Sequence, residues 1–505
     1  MSWMLKDVGL AMPDLHDLEI MMSSRVPVIV LETHEEPRAL SLIARAGVKL
    51  NKPVFAWTIT EGLKRVDFEH SVPQRLTCEP DAALGQIKAT ERPSIYVLCD
   101  FHPFVRDEPK NIRLLKEVAL QHEKNGHTVI LLSHQFKIPA EIKHYAAQMS
   151  LSLPSDQQLM GLVREEASHW SKHNHGARVK TDNRTLDQLV SNLRGLTLSD
   201  ARRLVRGAIV DDGAITESDI PELNKAKFQL MAMESVLSFE YDTASFADVG
   251  GLANLKQWLN QRKDAFLKDD NPGGLDSPKG IMLLGVQGSG KSLAAKAVAG
   301  CWGVPLLRMD FGGLYNKYIG ETEKNLRTGL ALADTMAPCV LWLDEIEKGL
   351  STEDSDQGTS KRLLGTLLTW MSERKEKVFL VATSNDISRL PPELVRKGRL
   401  DEIFFVDLPD EDVRQIIFEI HLKKRYQNPD NFDLERLAAA AEGFSGAEIE
   451  QAVVAALYSC AAVESTLATD TILLELENTS PLSVVMSEKI EGLLQWAEGR
   501  TVSAN

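Results

Sequence analysis

The chain has 505 residues, 43% of them hydrophobic, and a formal net charge of −15 at pH 7. That length exceeds what a single core serves, so about two to four domains are expected. Acidic residues outnumber basic ones in both halves, which excludes a wholly basic surface and argues against nucleic acid as the main partner.

The opening "MSWMLKDVGLAMPDLHDLEI" lacks the basic start and apolar block of a signal peptide. No apolar run reaches the roughly 18 residues of a membrane helix. A cytoplasmic protein with no membrane insertion is therefore expected. The first half then carries four apolar runs that end in polar residues: "VPVIVLE" (26–32), "PVFAWTITEGL" (53–63), "IYVLCD" (95–100) and "TVILLSHQF" (128–136). Runs of that length bounded by polar residues read as buried strands. Five cysteines, Cys78, Cys99, Cys301, Cys339 and Cys460, lack paired spacing and read as reduced, mostly packed thiols. Eleven of the twelve histidines fall in this half. His169 and His173 in "HWSKHNH" would share a helical face, but the stretch reads as solvated and no metal site is expected there. Residues 208–245 turn acidic and turn-rich and read as a linker.

The strongest motif follows, "GIMLLGVQGSGKS" (280–292). Ile281 to Leu284 form a short buried strand, and Gly285, Gly288, Ser289, Gly290, Lys291 and Ser292 complete a phosphate-binding loop before an alanine-rich helix. The glycines let backbone N–H groups wrap phosphate oxygens, and the helix N-terminus adds its positive dipole end. Lys291 is expected to neutralise the β and γ phosphates of ATP, and Ser292 to ligate Mg²⁺. "CVLWLDE" ends a second strand in Asp344, suited to the Mg²⁺ shell, and Glu345, suited to polarise a water. "VFLVATSND" ends a third strand at Asn385, placed to position that water. Together these predict hydrolysis as well as binding.

Over residues 246 to 460 these ordered motifs resemble the AAA family of ATPases. The resemblance implies an α/β fold: a P-loop AAA+ module of parallel sheet and flanking helices (246–409), a small helical lid (410–480), and a C-terminal helix and tail (481–505). It implies that "FADVGGL" brings Asp248 and Gly250 to the adenine, and that "GFSGAEIEQAV" brings Gly446 and Ala447 to the base and ribose. "LPPELVRKGRLDEI" matches the segment of arginine fingers, which assigns that role to Arg396 and Arg399. Fingers act from a neighbouring subunit, so a homo-oligomeric ring, a hexamer, is implied. "LYNKYIGETEKNLR" stands where the family has its first pore loop, with Lys317, Tyr318 and Ile319 at the positions that grip a peptide. The acidic "STEDSDQGTS" (351–360) stands at the second pore loop. Val286 and Gln287 replace two prolines common in the family, and Lys397 another; none of these removes a phosphate ligand. In "PLSVVMSEKIEGLLQWAEGR" (481–500), Leu482, Val485, Met486, Leu493 and Ala497 form a helical stripe suited to packing.

The first half repeats the order of the second, as an internal duplication does. "VPVIVLE" matches the P-loop strand, "IYVLCD" matches "VLWLDE", and "LRGLTLSDARRLV" matches "AEGFSGAEIEQAV". After its first strand, however, the chain reads "ETHEEPRAL", with neither glycine nor lysine, and Asp100 is followed by Phe101. Residues 1–207 are therefore expected to be a degenerate AAA-like α/β module. The whole chain resembles the AAA proteins of chloroplast open-reading-frame type, found in plastids and bacteria, so the plastid stroma is the alternative location. The function expected is a ring-forming mechanoenzyme that remodels or threads a protein substrate. The alternative is a nucleotide-dependent scaffold or switch whose inactive module binds a regulator, with DNA handling a third.

Overall fold

The computed structural model describes residues 13–66, 71–231, 236–241, 249–267, 274–311, 321–350, 357–394, 396, 398–462 and 465–505. Two compact units divide the chain: Met1–Pro154 with Thr197–Ser199, and Ser155–Leu196 with Asp200–Asn505.

In the first unit, the described residues include β1 (Val28–Glu32), β2 (Val54–Thr58), β3 (Gly62–Arg65), β4 (Ile95–Cys99), β5 (Thr128–Ser133) and β6 (Ala146–Ser150). They form one sheet in the order β3-β2-β4-β5-β1-β6, parallel except for the β2–β3 hairpin. Near-continuous apolar strands are the mark of a parallel sheet covered on both faces. One face buries Trp57, Leu98, Phe101 and Leu115, the other Leu18, Ile29, Ile43 and Val97.

In the second unit, β7 (Leu237–Glu240), β8 (Gly280–Gly285), β9 (Leu306–Asp310), β10 (Cys339–Asp344), β11 (Val378–Ser384), β12 (Glu402–Val406) and β13 (Val502–Ser503) lie in the order β13-β12-β8-β11-β10-β9-β7. The five strands common to both units therefore run β2-β4-β5-β1-β6 in one and β9-β10-β11-β8-β12 in the other. The repeated order of motifs in the sequence is thus matched by the same strand order in space. Among the described residues four α-helices, Asp156–His173, Asn183–Leu193, Leu198–Asp212 and Asp219–Met231, lie between β6 and β7, and the first four after β12 are Glu411–Lys424, Leu434–Ala440, Gly446–Ala462 and Thr469–Glu477.

The compact first unit closes at Pro154 rather than near residue 207, because the helices between 155 and 231 pack within the second unit. Phe228 joins a core with Leu237, Met309 and Leu330. Lys227, 1% exposed, donates to the carbonyls of Arg194 and Thr335, both at 2.7 Å. Burial pushes its amine down to about 8. The stretch 208–245, expected as a linker, also contributes β7, an antiparallel edge strand on β9. Phe239 of β7 packs its ring 5.4 Å from Phe228, so apolar contact draws the segment onto the sheet.

Beyond the lid, the helix Ser487–Ala497 lays Leu493, Trp496 and Ala497 on the second unit's core, whereas Val485 of the same predicted stripe is 68% exposed. Ala504 is fully buried, donates to the Phe405 carbonyl at 2.9 Å and accepts from Leu255 at 3.2 Å. Cys99, Cys339 and Cys460 are buried free thiols, and burial pushes Cys99 and Cys339 up to about 12. No helix among the described residues is long and apolar enough to cross a membrane.

Candidate active site

The site lies at the carboxyl ends of β8, β10 and β11, where parallel α/β sheets open their ligand crevice. Gly285 ends β8 with its backbone so near β12 that an added Cβ would lie 2.1 Å from the Val406 carbonyl oxygen. The loop 286–290 then turns through Gly288 (φ +80°) and Gly290 (φ +97°), and Gly290 caps the helix Lys291–Trp302. Both glycines hold left-handed conformations that an L side chain adopts only under strain. Lys291 is 6% exposed, and its Nζ donates to the carbonyls of Gly285 (2.9 Å) and Val286 (2.6 Å). Burial pushes its amine down to about 8 against the opposing pull of Glu347, Asp344 and Glu345. Ser289 Oγ is buried without a partner among the described residues, and Ser292 is exposed on the first helical turn. Curled glycine backbone, a helix N-terminus, a buried amine and an orphan hydroxyl form a donor set suited to phosphate oxygens.

Asp344 and Glu345 stand across from this loop. Asp344 Oδ1 accepts from Thr383 Oγ1 at 2.9 Å, and its Oδ2 accepts from Arg308 Nη2 at 2.7 Å. Glu345 sits at φ +48°, which turns the chain sharply at the end of β10. Its N–H donates to Thr383 Oγ1 at 3.2 Å, and its side chain meets Asn385 Nδ2 at 3.4 Å and Lys348 Nζ at 2.5 Å. Asn385 is fixed by its own N–H, which donates to Glu347 Oε1 at 3.0 Å. Glu345 and Asn385 therefore form one hydrogen-bonded pair at the two strand ends, the arrangement needed to hold and polarise a water.

The lid meets the loop directly. Ser445, 1% exposed, caps the helix Gly446–Ala462 by bonding Glu448 Oε2 through both its N–H (2.8 Å) and its hydroxyl (2.7 Å). A Cβ on Gly288 would lie 2.8 Å from that hydroxyl, and the Ala447 N–H donates to the Gly288 carbonyl at 3.3 Å. Gly250 and Gly446 both lie against Ile417 of the lid. Gly250, Gly288, Gly446 and Ala447 are thus brought to one place from distant parts of the sequence. Asp248, Lys317, Tyr318 and Ile319, as well as Lys397 and residues 351–356 of the acidic stretch, lie outside the described residues.

Arg396 is exposed and Arg399 half-buried, and the Arg399 guanidinium donates to the Glu393 carbonyl. Among the described residues, no hydrogen bond joins either arginine to Lys291, Asp344, Glu345 or Asn385 of its own chain. Sequence reading missed Arg308 and Thr383. Arg308 pairs in register with Trp342, so it reaches Asp344 diagonally across two strands. A cation between apolar neighbours in the strand-like "LLRM" was the available signal.

In the first unit the equivalent crevice lacks this donor set. Only residues 33–35 separate β1 from the helix Glu36–Lys49. Glu35, 7% exposed, stands at that helix N-terminus, where its carboxylate accepts from Arg38 Nη1 (2.8 Å) and from the Ser199 N–H (3.3 Å). Phe101 packs in the core against Trp57.

Comparison with known proteins agrees with this geometry. Residues 281–408 match the profile of the "ATPase family associated with various cellular activities (AAA)". Residues 14–151 and 157–234 match the N-terminal and second domains of SpoVK-like AAA ATPases. The chain is 36% identical over 489 residues to the AAA domain-containing protein ycf46 of Guillardia theta, covering 95% of this chain and 94% of that one. It is 34% identical to the ycf46 protein of Trieres chinensis, covering 95% and 96%. It is also 35% identical over 275 residues to the proteasome-activating nucleotidase of Aeropyrum pernix, covering 52% and 65%. A phosphate cradle facing a paired carboxylate and asparagine, carried on a shared strand order and matched over 95% of the chain by AAA relatives, admits one assignment: the chain is a nucleotide-binding ATPase and belongs to the AAA family.

Proposed function

We propose that this ATPase works as a homo-oligomeric ring, with Mg²⁺ as cofactor, and remodels a protein substrate. The observation that carries the reading is the placement of Arg396 and Arg399. The crevice has its own amine, carboxylates and asparagine, yet these two arginines are bonded elsewhere or face solvent in the same chain. A cation supplied by a neighbouring subunit completes such a site and links hydrolysis to assembly. In this reading Ser292 and Asp344 hold the metal, Glu345 acts as base, Asn385 positions the water, and Lys291 binds phosphate with Gly285, Gly288, Ser289 and Gly290. Asp248, Gly250, Gly446 and Ala447 take the adenosine, and Lys317, Tyr318 and Ile319 contact substrate. One relative is named for activating a proteasome, which supports a polypeptide as the substrate.

Mixing two inactive variants tests the arrangement. Glu345→Gln and Arg399→Ala subunits are each expected to be inactive alone. An equal mixture should recover roughly a quarter of wild-type activity, because some sites then pair an intact base with an intact neighbouring arginine. A mixture as inactive as its components would overturn the trans assignment. Remodelling is tested by release of a trapped, tagged protein: Tyr318→Ala should retain hydrolysis and lose release. Unchanged release would remove the pore-loop assignment.

Arg308 adds a prediction about the metal. Its guanidinium engages the carboxylate of Asp344, the group assigned to Mg²⁺. Arg308→Met is therefore expected to lower the Mg²⁺ concentration giving half-maximal hydrolysis by roughly three- to tenfold. A Mg²⁺ titration of the steady-state rate checks this.

A second reading is supported by the first unit. Its sheet keeps the family's strand order while Glu35 takes the helix N-terminus that phosphate would need. A module that retains the fold without the nucleotide chemistry is suited to hold a regulator. Deleting residues 1–154, which leaves the helices packed within the second unit, should then abolish partner binding and spare nucleotide binding, and retained partner binding would remove this reading.

A further inference from the structure

The crevice of the first unit is not merely blank. Among the described residues, Asp100, His102 and His134 place one potential ligand atom each within 4.8 Å of one another. All three lie at the carboxyl ends of β4 and β5, the positions that in the second unit carry Asp344 and the end of β11. His34, just past the end of β1, stacks its ring 5.7 Å from that of His134, and His102 meets His134 edge-on at 4.9 Å. Two imidazoles and a carboxylate thus converge from two strand ends, with the His34 ring stacked behind one of them.

A further observation points to a cation. Asp100 has no ion-pair partner among the described residues, and its φ of +50° turns the chain at the end of β4 as the +48° of Glu345 does at the end of β10. The Ser133 hydroxyl lies 2.7 Å from Nδ1 of His102 and orients that ring. Outer hydrogen bonds of this kind accompany metal-ligating histidines. By strand register Ser133 is the counterpart of Thr383, whose hydroxyl orients Asp344 in the second unit.

We propose that the first unit binds a divalent first-row transition ion, of the zinc class, through His102, His134 and Asp100, with water completing the shell. Two imidazoles and a carboxylate suit Zn²⁺, Co²⁺ or Ni²⁺ rather than Mg²⁺. A tetrahedral site needs ligand atoms about 3.3 Å apart. Asp100 and His134 are both exposed, which leaves room for their side chains to move toward that spacing on binding. The strand ends that carry Asp344 and Asn385 in one unit thus have as their counterpart, in the other, a site for a positive ion at the ends of β4 and β5.

The test uses the full chain, free of nucleotide and in excess Mg²⁺. Zn²⁺ is titrated against a chromophoric chelator, and Co²⁺ binding is followed by visible absorption. One ion per chain is expected, with a rise in melting temperature on zinc addition. His102→Ala and His134→Ala should each weaken binding at least about tenfold and abolish that rise. His169 and His173, an exposed stacked pair 5.9 Å apart, are the competing site, and His169→Ala with His173→Ala should leave binding unchanged. Zinc binding that survives His102→Ala and His134→Ala, or is lost only with His169 and His173, overturns the proposal. So does a full chain that retains no zinc at micromolar concentration. Metal-free melting temperatures of the variants confirm that they fold.

Discussion

Glu345→Gln is expected to bind ATP as the unaltered chain does and to hydrolyse it about 100-fold more slowly or worse. The substitution keeps the size of the side chain and its hydrogen bond to Asn385, so the strand ends stay in place. It removes the basicity through which a water held between the two residues becomes a nucleophile. Single-turnover hydrolysis beside equilibrium binding of a fluorescent ATP analogue separates the two steps. Loss of both would place Glu345 in binding, and retained turnover would assign the base to another group. Glu347 is the nearest candidate, since it is 6% exposed and its Oε2 lacks a partner among the described residues.

Lys291→Met should abolish nucleotide binding at micromolar concentration, and the unaltered chain should show a pH dependence that the variant lacks. Burial pushes the Lys291 amine from an ordinary 10.5 down to about 8. Below about 8 the free protein already carries the charge that phosphate requires. Above it the amine must regain a proton on binding, so affinity should fall, approaching tenfold per pH unit. The sign for stability is opposite. Between about 8 and 10.5 the unfolded chain holds more protons at this position than the folded one, so this group's contribution to folded stability rises with pH across that window. Lys227, also pushed to about 8, acts in the same direction. Isothermal titration with ATP from pH 7 to 9 checks the binding limb. A flat profile would show that the Lys291 amine keeps its proton throughout.

Much of the site was legible because its chemistry is local. Gly285 to Ser292 form one continuous loop, and the carboxylates and asparagine stand at strand ends, where a buried apolar run must meet solvent. Gly250, Gly446 and Ala447 were reached through family resemblance, since nothing in their own spacing predicts that all three converge on the lid and loop near Ile417 and Gly288. Arg308 and Thr383 were not read, because each acts across strands and register is a property of the folded sheet. The stretch "LRGLTLSDARRLV" reads in sequence like the lid motif "AEGFSGAEIEQAV" and so as part of the first module, yet the helices from 156 to 231 pack within the second unit, where Lys227 and Phe228 are buried.

The sequence by itself determined the central strands that end at the two crevices, their order of appearance, the phosphate loop and its loss in the first half, because these depend on contiguous apolar runs and on residue types with fixed conformational and charge preferences. Only the tertiary structure decided which side chains face one another: Arg308 on Asp344, Ser445 on Gly288, and His102 and His134 beside Asp100. Those meetings join residues up to 157 positions apart, as between Gly288 and Ser445, and depend on strand register and close packing, which the chain acquires only when both faces of each sheet are covered.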